Sequence, residues 1–213
     1  MRHALVGLLT PIAFAASARA QNPVTELWPE LDVAWQPARH QRTFLELSDK
    51  TEREGPTHQA SIGLYQDYTS LPRFYVRVGY RETFSVRDAS YRESRIVTEG
   101  TITAYSTPLV RVLNRTRAEF RFINRVYSYR LRDRVQVQRL SRVARGLRPS
   151  PYLSLEPFYD SRYTTIARME YRLGTEIRIA KPATLDLYYG RQNNTRGTPT
   201  NINALGITAK LGF

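Results

Sequence analysis

Cysteine is absent from the 213 residues, so the chain has no disulfide, no thiolate nucleophile and no cysteine metal cage to draw on. Stability must come from burial and backbone pairing. Long apolar runs are absent as well: nothing approaches the ~20 residues of a membrane-spanning helix, and the mean hydropathy is −0.47. Together these exclude a helical membrane protein. They do not exclude a β-barrel, whose strands are apolar only at alternate positions. Helical periodicity is missing throughout, and so are a Gly-rich phosphate loop, a Cys/His cluster and metal-ligand spacing among the acids. Lysine is nearly missing. Lys50, Lys181 and Lys210 are the only three, and the rest of the 32 basic residues are arginine, for a formal net charge of +13.

What is present begins with an export signature. Residues 1–20 combine a basic start (Arg2, His3), an apolar stretch from Ala4 to Ala16, and small residues at Ala18 and Ala20, the pattern of a cleaved signal peptide. The expected mature domain is 21–213, with a charge of +11 once Arg2 and Arg19 are removed. Export argues against nucleic acid as the partner of so basic a chain. Lipid head groups, lipopolysaccharide phosphates or small anionic solutes fit better, and a biased genome composition could also raise arginine without any function.

The last ten residues alternate strictly, with Leu205, Ile207, Ala209, Leu211 and Phe213 on one face and Ala204, Gly206, Thr208, Lys210 and Gly212 on the other. A strand has a side-chain period of two, so one face can meet lipid and the other a polar interior. Similar alternation recurs at Leu27–Trp35, Arg73–Arg81, Arg117–Phe122, Arg130–Val137 and Ala167–Leu173. Weaker versions lie between them. Pro37, Pro72, Pro108, Pro149 and Pro182 recur at about the length of a hairpin, as expected of residues that cannot donate to a ladder and favour turns. These features predict one antiparallel up-and-down transmembrane barrel. Eleven strands can be counted, but bacterial single-chain barrels normally have an even number. The expectation is therefore ten to twelve: ten if segment 21–36 is not a regular wall strand, twelve if one strand has been missed.

Leu27–Val33, Pro151–Asp160, Leu185–Asn193 and Asn203–Phe213 together resemble domain-of-unknown-function family 2490, a group of Gram-negative outer-membrane proteins. The resemblance implies a small outer-membrane barrel and carries no activity to transfer. A terminal strand ending in Phe213 also resembles the end of other outer-membrane barrels, which implies that the barrel-assembly machinery reads it.

Assigning the polar face of each strand to the lumen places Arg73, Arg77, Arg81, Arg95, Arg117, Arg121, Arg130, Arg132, Arg134, Arg168, Arg172 and Arg178 inside. Glu99, Glu119, Glu156, Glu170, Glu176 and Asp186 accompany them. One reading is a filled lumen in which Arg–carboxylate pairs hold strands in register. The other is an anion path, because arginine rows favour anions and the acids can pair with many but not all of the arginines. The expected function is thus a structural barrel or a narrow anion-preferring channel, without enzymatic activity, cofactor or metal, and of open oligomeric state. The alternative is an outer-membrane lipid-active hydrolase or acyltransferase, with a secreted basic binding protein a distant third. Against an enzyme, His40 falls in a predicted turn, and the three-residue spacing of His58 and Ser61 puts them on opposite faces of a strand. Arg139, Arg142, Arg145 and Arg148 surround a predicted periplasmic turn, as a solvated turn or a contact with anionic head groups. Tyr68, Tyr80, Tyr129, Tyr159 and Tyr189 fit the aromatic girdles of a barrel.

Overall fold

Strict alternation leaves each strand with one charged and one apolar face, and closing the sheet on itself is the arrangement that hides the first without leaving an unpaired edge. The computed structural model describes residues 23–52, 58–87, 90–140, 148–196 and 199–213. Within them the chain forms a closed barrel of eleven strands. In order these are β1 (Val24–Ala38), β2 (Gln41–Glu52), β3 (His58–Leu71), β4 (Phe74–Ser85), β5 (Arg92–Ser106), β6 (Val110–Ile123), β7 (Val126–Arg139), β8 (Arg148–Asp160), β9 (Thr165–Arg178), β10 (Ala183–Asn194) and β11 (Asn201–Gly212). The expected signal peptide, 1–20, lies outside the described residues.

Every neighbour along the chain pairs antiparallel, and the ring closes between β1 and β11. With an odd number of strands the first and last point the same way, so that seam is parallel, running from Val24↔Ile202 to Ala34↔Gly212. The count of eleven stands, and the presumption that it had to become ten or twelve is corrected. Residues 24–38 are a full wall strand. The seam extends to the terminus, where the Phe213 N–H donates to the Ala34 carbonyl at 2.9 Å and the Phe213 carbonyl accepts from the Gln36 N–H at 3.1 Å.

Phe213 and the β1–β2, β3–β4, β5–β6, β7–β8 and β9–β10 connections share one mouth, called here the C-terminal mouth. The start of β1 and the remaining connections share the other, the N-terminal mouth. All five regularly spaced prolines lie at the C-terminal mouth, in turns or at strand ends. At Pro72–Arg73 the proline is followed by a residue at φ 65°, the geometry of a type II turn. Arg73 is therefore an exposed turn residue, which corrects its assignment to the lumen. Asn124 and Arg125, both at positive φ, make the two-residue turn between β6 and β7.

The outer face is apolar. Leu27, Ile62, Leu64, Ile96, Leu131, Val135, Leu153, Leu173, Leu205 and Ile207 all stand exposed. Tyr68, Tyr80, Tyr129 and Tyr189 are exposed on the same face. The apolar surface is interrupted midway along β7, where outward-facing Asp133 accepts from Asn114 Nδ2 at 3.1 Å and Thr116 Oγ1 at 2.7 Å. Beside it, β7–β8 pairing stops at Arg132↔Phe158 and resumes at Val135↔Leu155, around Pro157, which has no N–H to give.

Inside, aromatic rings lie over glycines. Tyr188 covers Gly206, and Tyr65 covers Gly79, so closely that a Cβ at either glycine would collide with the ring. Overpacking of this kind costs about 1–3 kcal/mol or more. Gly206→Ala is expected to lower the unfolding midpoint of detergent-refolded protein, whereas Gly212→Ala, with open space around it, should leave it unchanged; equal midpoints for the two variants would show that the Tyr188 ring is free to move aside.

Candidate functional site

The alternation that turns apolar side chains outward packs the opposite faces of β4–β9 with arginine and carboxylate. At the centre is Glu119 on β6, 0 % exposed. Its carboxylate has Arg132 Nη1 at 3.0 Å, Arg95 Nη1 at 3.5 Å, Arg130 Nη1 at 3.6 Å and Arg117 Nη1 at 3.8 Å. These arginines come from strands on both sides, so one carboxylate ties three strands together. The pattern extends outward from there. Glu99 holds Arg117 at 2.5 Å, Glu156 holds Arg115, Arg132 and Arg134 at 2.5–2.9 Å, and Glu170 holds Arg172 at 2.6 Å. Arg121 spans Glu93 and Asp160. Arg77 bonds Asp67 at 2.6 Å, and Arg81 lies 2.5 Å from Glu46.

Arg77, Arg81, Arg95, Arg117, Arg121, Arg130, Arg132, Arg134, Arg168 and Arg172 thus all lie on the inner face around one cavity. Arg73 does not. Arg178, at the end of β9, is exposed. Of the basic quartet, Arg139 closes β7 and Arg148 opens β8, while Arg142 and Arg145 lie outside the described residues. Sequence reasoning overlooked Arg115, Lys50, Glu46, Asp67, Glu93 and Asp160. Each keeps the inward parity of its strand, but they sit toward strand ends or in strands whose alternation is weak. Extending the stronger ladders by one or two residues would have recovered Arg115 and Glu93.

The cavity has a volume of about 530 Å³. It reaches the N-terminal mouth at Tyr91, Arg162, Tyr163 and Arg196. Toward the other mouth the lumen is filled, with Tyr65 and Gln138 almost fully buried and the Gln138 amide donating to Glu176 at 2.7 Å. In the β8–β9 loop, the Asp160 carboxylate hydrogen-bonded to Arg162 pushes that guanidinium above its ordinary value.

Fifteen Lys and Arg side chains line the cavity against eight Asp and Glu. Twelve of the fifteen have a carboxylate within ion-pair distance. Three have none among the described residues: Lys50, Arg168 and Arg196. Lys50 lies over the Trp28 ring at 4.2 Å. Arg168 donates to Asn194 Oδ1 at 2.7 Å and lies 5.6 Å from the Phe158 ring centre. On β1, Glu30 and Asp32 also line the cavity without an ion-pair partner.

His58 and Ser61 diverge, as their spacing requires. His58 Nε2 contacts Asp49 Oδ1 at 2.8 Å, and Ser61 Oγ contacts Thr83 Oγ1 at 2.9 Å on the inner face.

Residues 25–203 match the model of a protein family described as "Protein of unknown function (DUF2490)". The chain belongs to that family. The match begins in β1 and ends at the start of β11, so it spans nearly all of the barrel wall. A search of the curated proteins finds no match.

The Glu119 site makes a stability prediction. Removing one partner from a buried charge cluster costs about 3–5 kcal/mol, because the remaining charges lose their compensation. Glu119→Gln is expected to lower the urea midpoint of the refolded protein by a corresponding amount, with partial recovery in high chloride as the anion takes the vacated place. A loss below about 1 kcal/mol would show that the four arginines find other partners.

Proposed function

We propose that this protein is an outer-membrane β-barrel with a narrow, anion-preferring lumen that opens at the N-terminal mouth and is constricted by its Arg–carboxylate lattice. The exposed apolar side chains on every strand support the membrane setting, since water on that face would leave them unshielded while the charges sit inside. No helix among the described residues is long and apolar enough to cross a membrane. The wall composition of the cavity carries the functional part: cations exceed acids, and three of them, Lys50, Arg168 and Arg196, have no carboxylate within ion-pair distance among the described residues. Such a wall raises the local concentration of anions and repels cations.

The geometry gives catalysis little to work with. The His58 ring is engaged by Asp49 and Ser61 by Thr83, so His58 does not stand as a base beside that hydroxyl.

Reconstituted in planar bilayers, the protein is expected to show a small conductance with anions favoured over cations, and Arg130→Glu with Arg168→Glu should reduce or invert that preference. Correctly folded protein with no measurable conductance would overturn the passage and leave a sealed structural barrel.

Phe213 tests the membrane setting separately. Its side chain is 75 % exposed on the outer face, while its backbone bonds hold the seam. Loss of the ring should cost the folded barrel a few kcal/mol at most. Phe213→Ser is therefore expected to reduce barrel inserted in cells far more than it reduces the stability of refolded protein; equal losses would mean that the ring acts through packing alone.

A further inference from the structure

Uncompensated charges of both signs share the one cavity, and they are separated along its axis. Lys50 and Arg168 stand near the N-terminal mouth with no carboxylate within ion-pair distance among the described residues. Glu30 and Asp32 stand deeper, on β1, likewise with no cation within ion-pair distance among them, because Lys210, the neighbour of Asp32 across the β1–β11 ladder, is turned to Glu176 and Asp186. Asp32 is only 7 % exposed, and its Oδ1 has no hydrogen-bond partner. A buried carboxylate oxygen left without a donor is costly, as is a guanidinium or ammonium facing a cavity without an acceptor. Elsewhere in the cavity twelve of fifteen cations are paired, and the other buried carboxylate oxygens without a hydrogen bond, Glu46 Oε1 and Glu119 Oε2, each have a guanidinium within ion-pair distance. The exceptions fall in two groups, cationic at the mouth and anionic at depth.

From the geometry we infer that the cavity binds a small soluble zwitterion, a solute bearing a phosphate or carboxylate at one end and an ammonium at the other, with the ammonium inserted first. This rests on the reading of the lumen as open to solute from the N-terminal mouth. The anionic end meets Lys50 and Arg168. The ammonium meets the Asp32 and Glu30 carboxylates where they line the cavity. Glu30 pairs with Ser48 and Asp32 with Glu46 across the β1–β2 ladder, two and four residues from Lys50 on β2. At about 3.3 Å per residue, the two charge groups are about 7–13 Å apart along the strand. A hexose-sized molecule with charges at opposite ends fits that spacing, and a cavity of about 530 Å³ holds it. The polar wall offers no place for acyl chains, so the solute is water-soluble rather than a lipid headgroup.

The same depth arrangement makes a simple anion a poorer ligand. An anion entering past Lys50 meets Glu30 and Asp32 on β1, where Glu46 beside them is already paired with Arg81.

Trp28 supplies the readout, because its ring lies under the Lys50 ammonium. In a Trp35→Phe background Trp28 is the single tryptophan. Glucosamine 6-phosphate, glucose 6-phosphate and glucosamine, titrated at fixed ionic strength into folded protein in detergent, separate the two ends of the site. The expected result is a saturable fluorescence change with glucosamine 6-phosphate at concentrations at least tenfold below those needed for either comparison sugar. Asp32→Asn should erase the advantage over glucose 6-phosphate, and Lys50→Gln or Arg168→Gln the advantage over glucosamine, with heat-dependent gel migration confirming that each variant is folded. Equal binding of glucosamine 6-phosphate and glucose 6-phosphate would overturn the inference, as would no response to any of the three or unchanged binding in all three variants. Conductance without this binding would refute the site and leave the anion-preferring lumen standing; binding without conductance would keep the site and remove the passage.

Discussion

An arginine taken out of water needs an acceptor for each donor of its fork, and this barrel meets that need by sharing carboxylates between strands. Glu119, with four guanidiniums around it, and Glu156, with three, are the nodes. Each node fixes the relative heights of neighbouring strands, because a slip of one residue would turn every arginine outward and every leucine inward. The strong preference for arginine over lysine fits this role. A planar fork reaches two carboxylates from one stem, as Arg121 does between Glu93 and Asp160, whereas an ammonium is a point charge. The lattice therefore specifies register and fills space at once, and little of the lumen remains for solute.

Much of this wall was legible in the sequence because its cause is local. Period-two alternation in Phe74–Arg81, Arg130–Val137 and the last ten residues needs no tertiary information, and those segments are strands with the expected faces. Arg73 misled because alternation counted along Arg73–Arg81 continues smoothly into it, while Pro72 fixes a turn whose next residue takes a left-handed φ. The strand number misled for a different reason. Parity is a property of ring closure, and nothing local in β1 or β11 states whether their seam is parallel. Pairing partners were the least accessible: that Arg115 reaches Glu156 two strands away depends on barrel curvature.

Aromatic side chains divide by face in a way that composition cannot reveal. Tyr129 and Tyr189 stand on the outer surface, whereas Tyr65, Tyr152 and Tyr188 are buried inside. The inner rings sit over glycines on neighbouring strands and carry guanidiniums on their faces, as Arg172 does 4.5 Å above Tyr188 and Arg77 4.2 Å above Phe44. A ring so placed fills volume that a carboxylate could not, and it holds an arginine without neutralising it. The lumen can thus stay basic where it is packed.

The parallel seam has a consequence for sidedness. In a barrel with an even number of strands both chain ends emerge at the same mouth, and threading the last strand returns the chain to where it began. Here β1 starts at one mouth and Phe213 finishes at the other. The chain therefore enters the wall at the mouth whose loops carry Tyr91, Arg162 and Arg196, while the tail that closes the ring anchors the opposite rim. The two ends of the wall thus mark the two mouths, one open to the cavity and one filled.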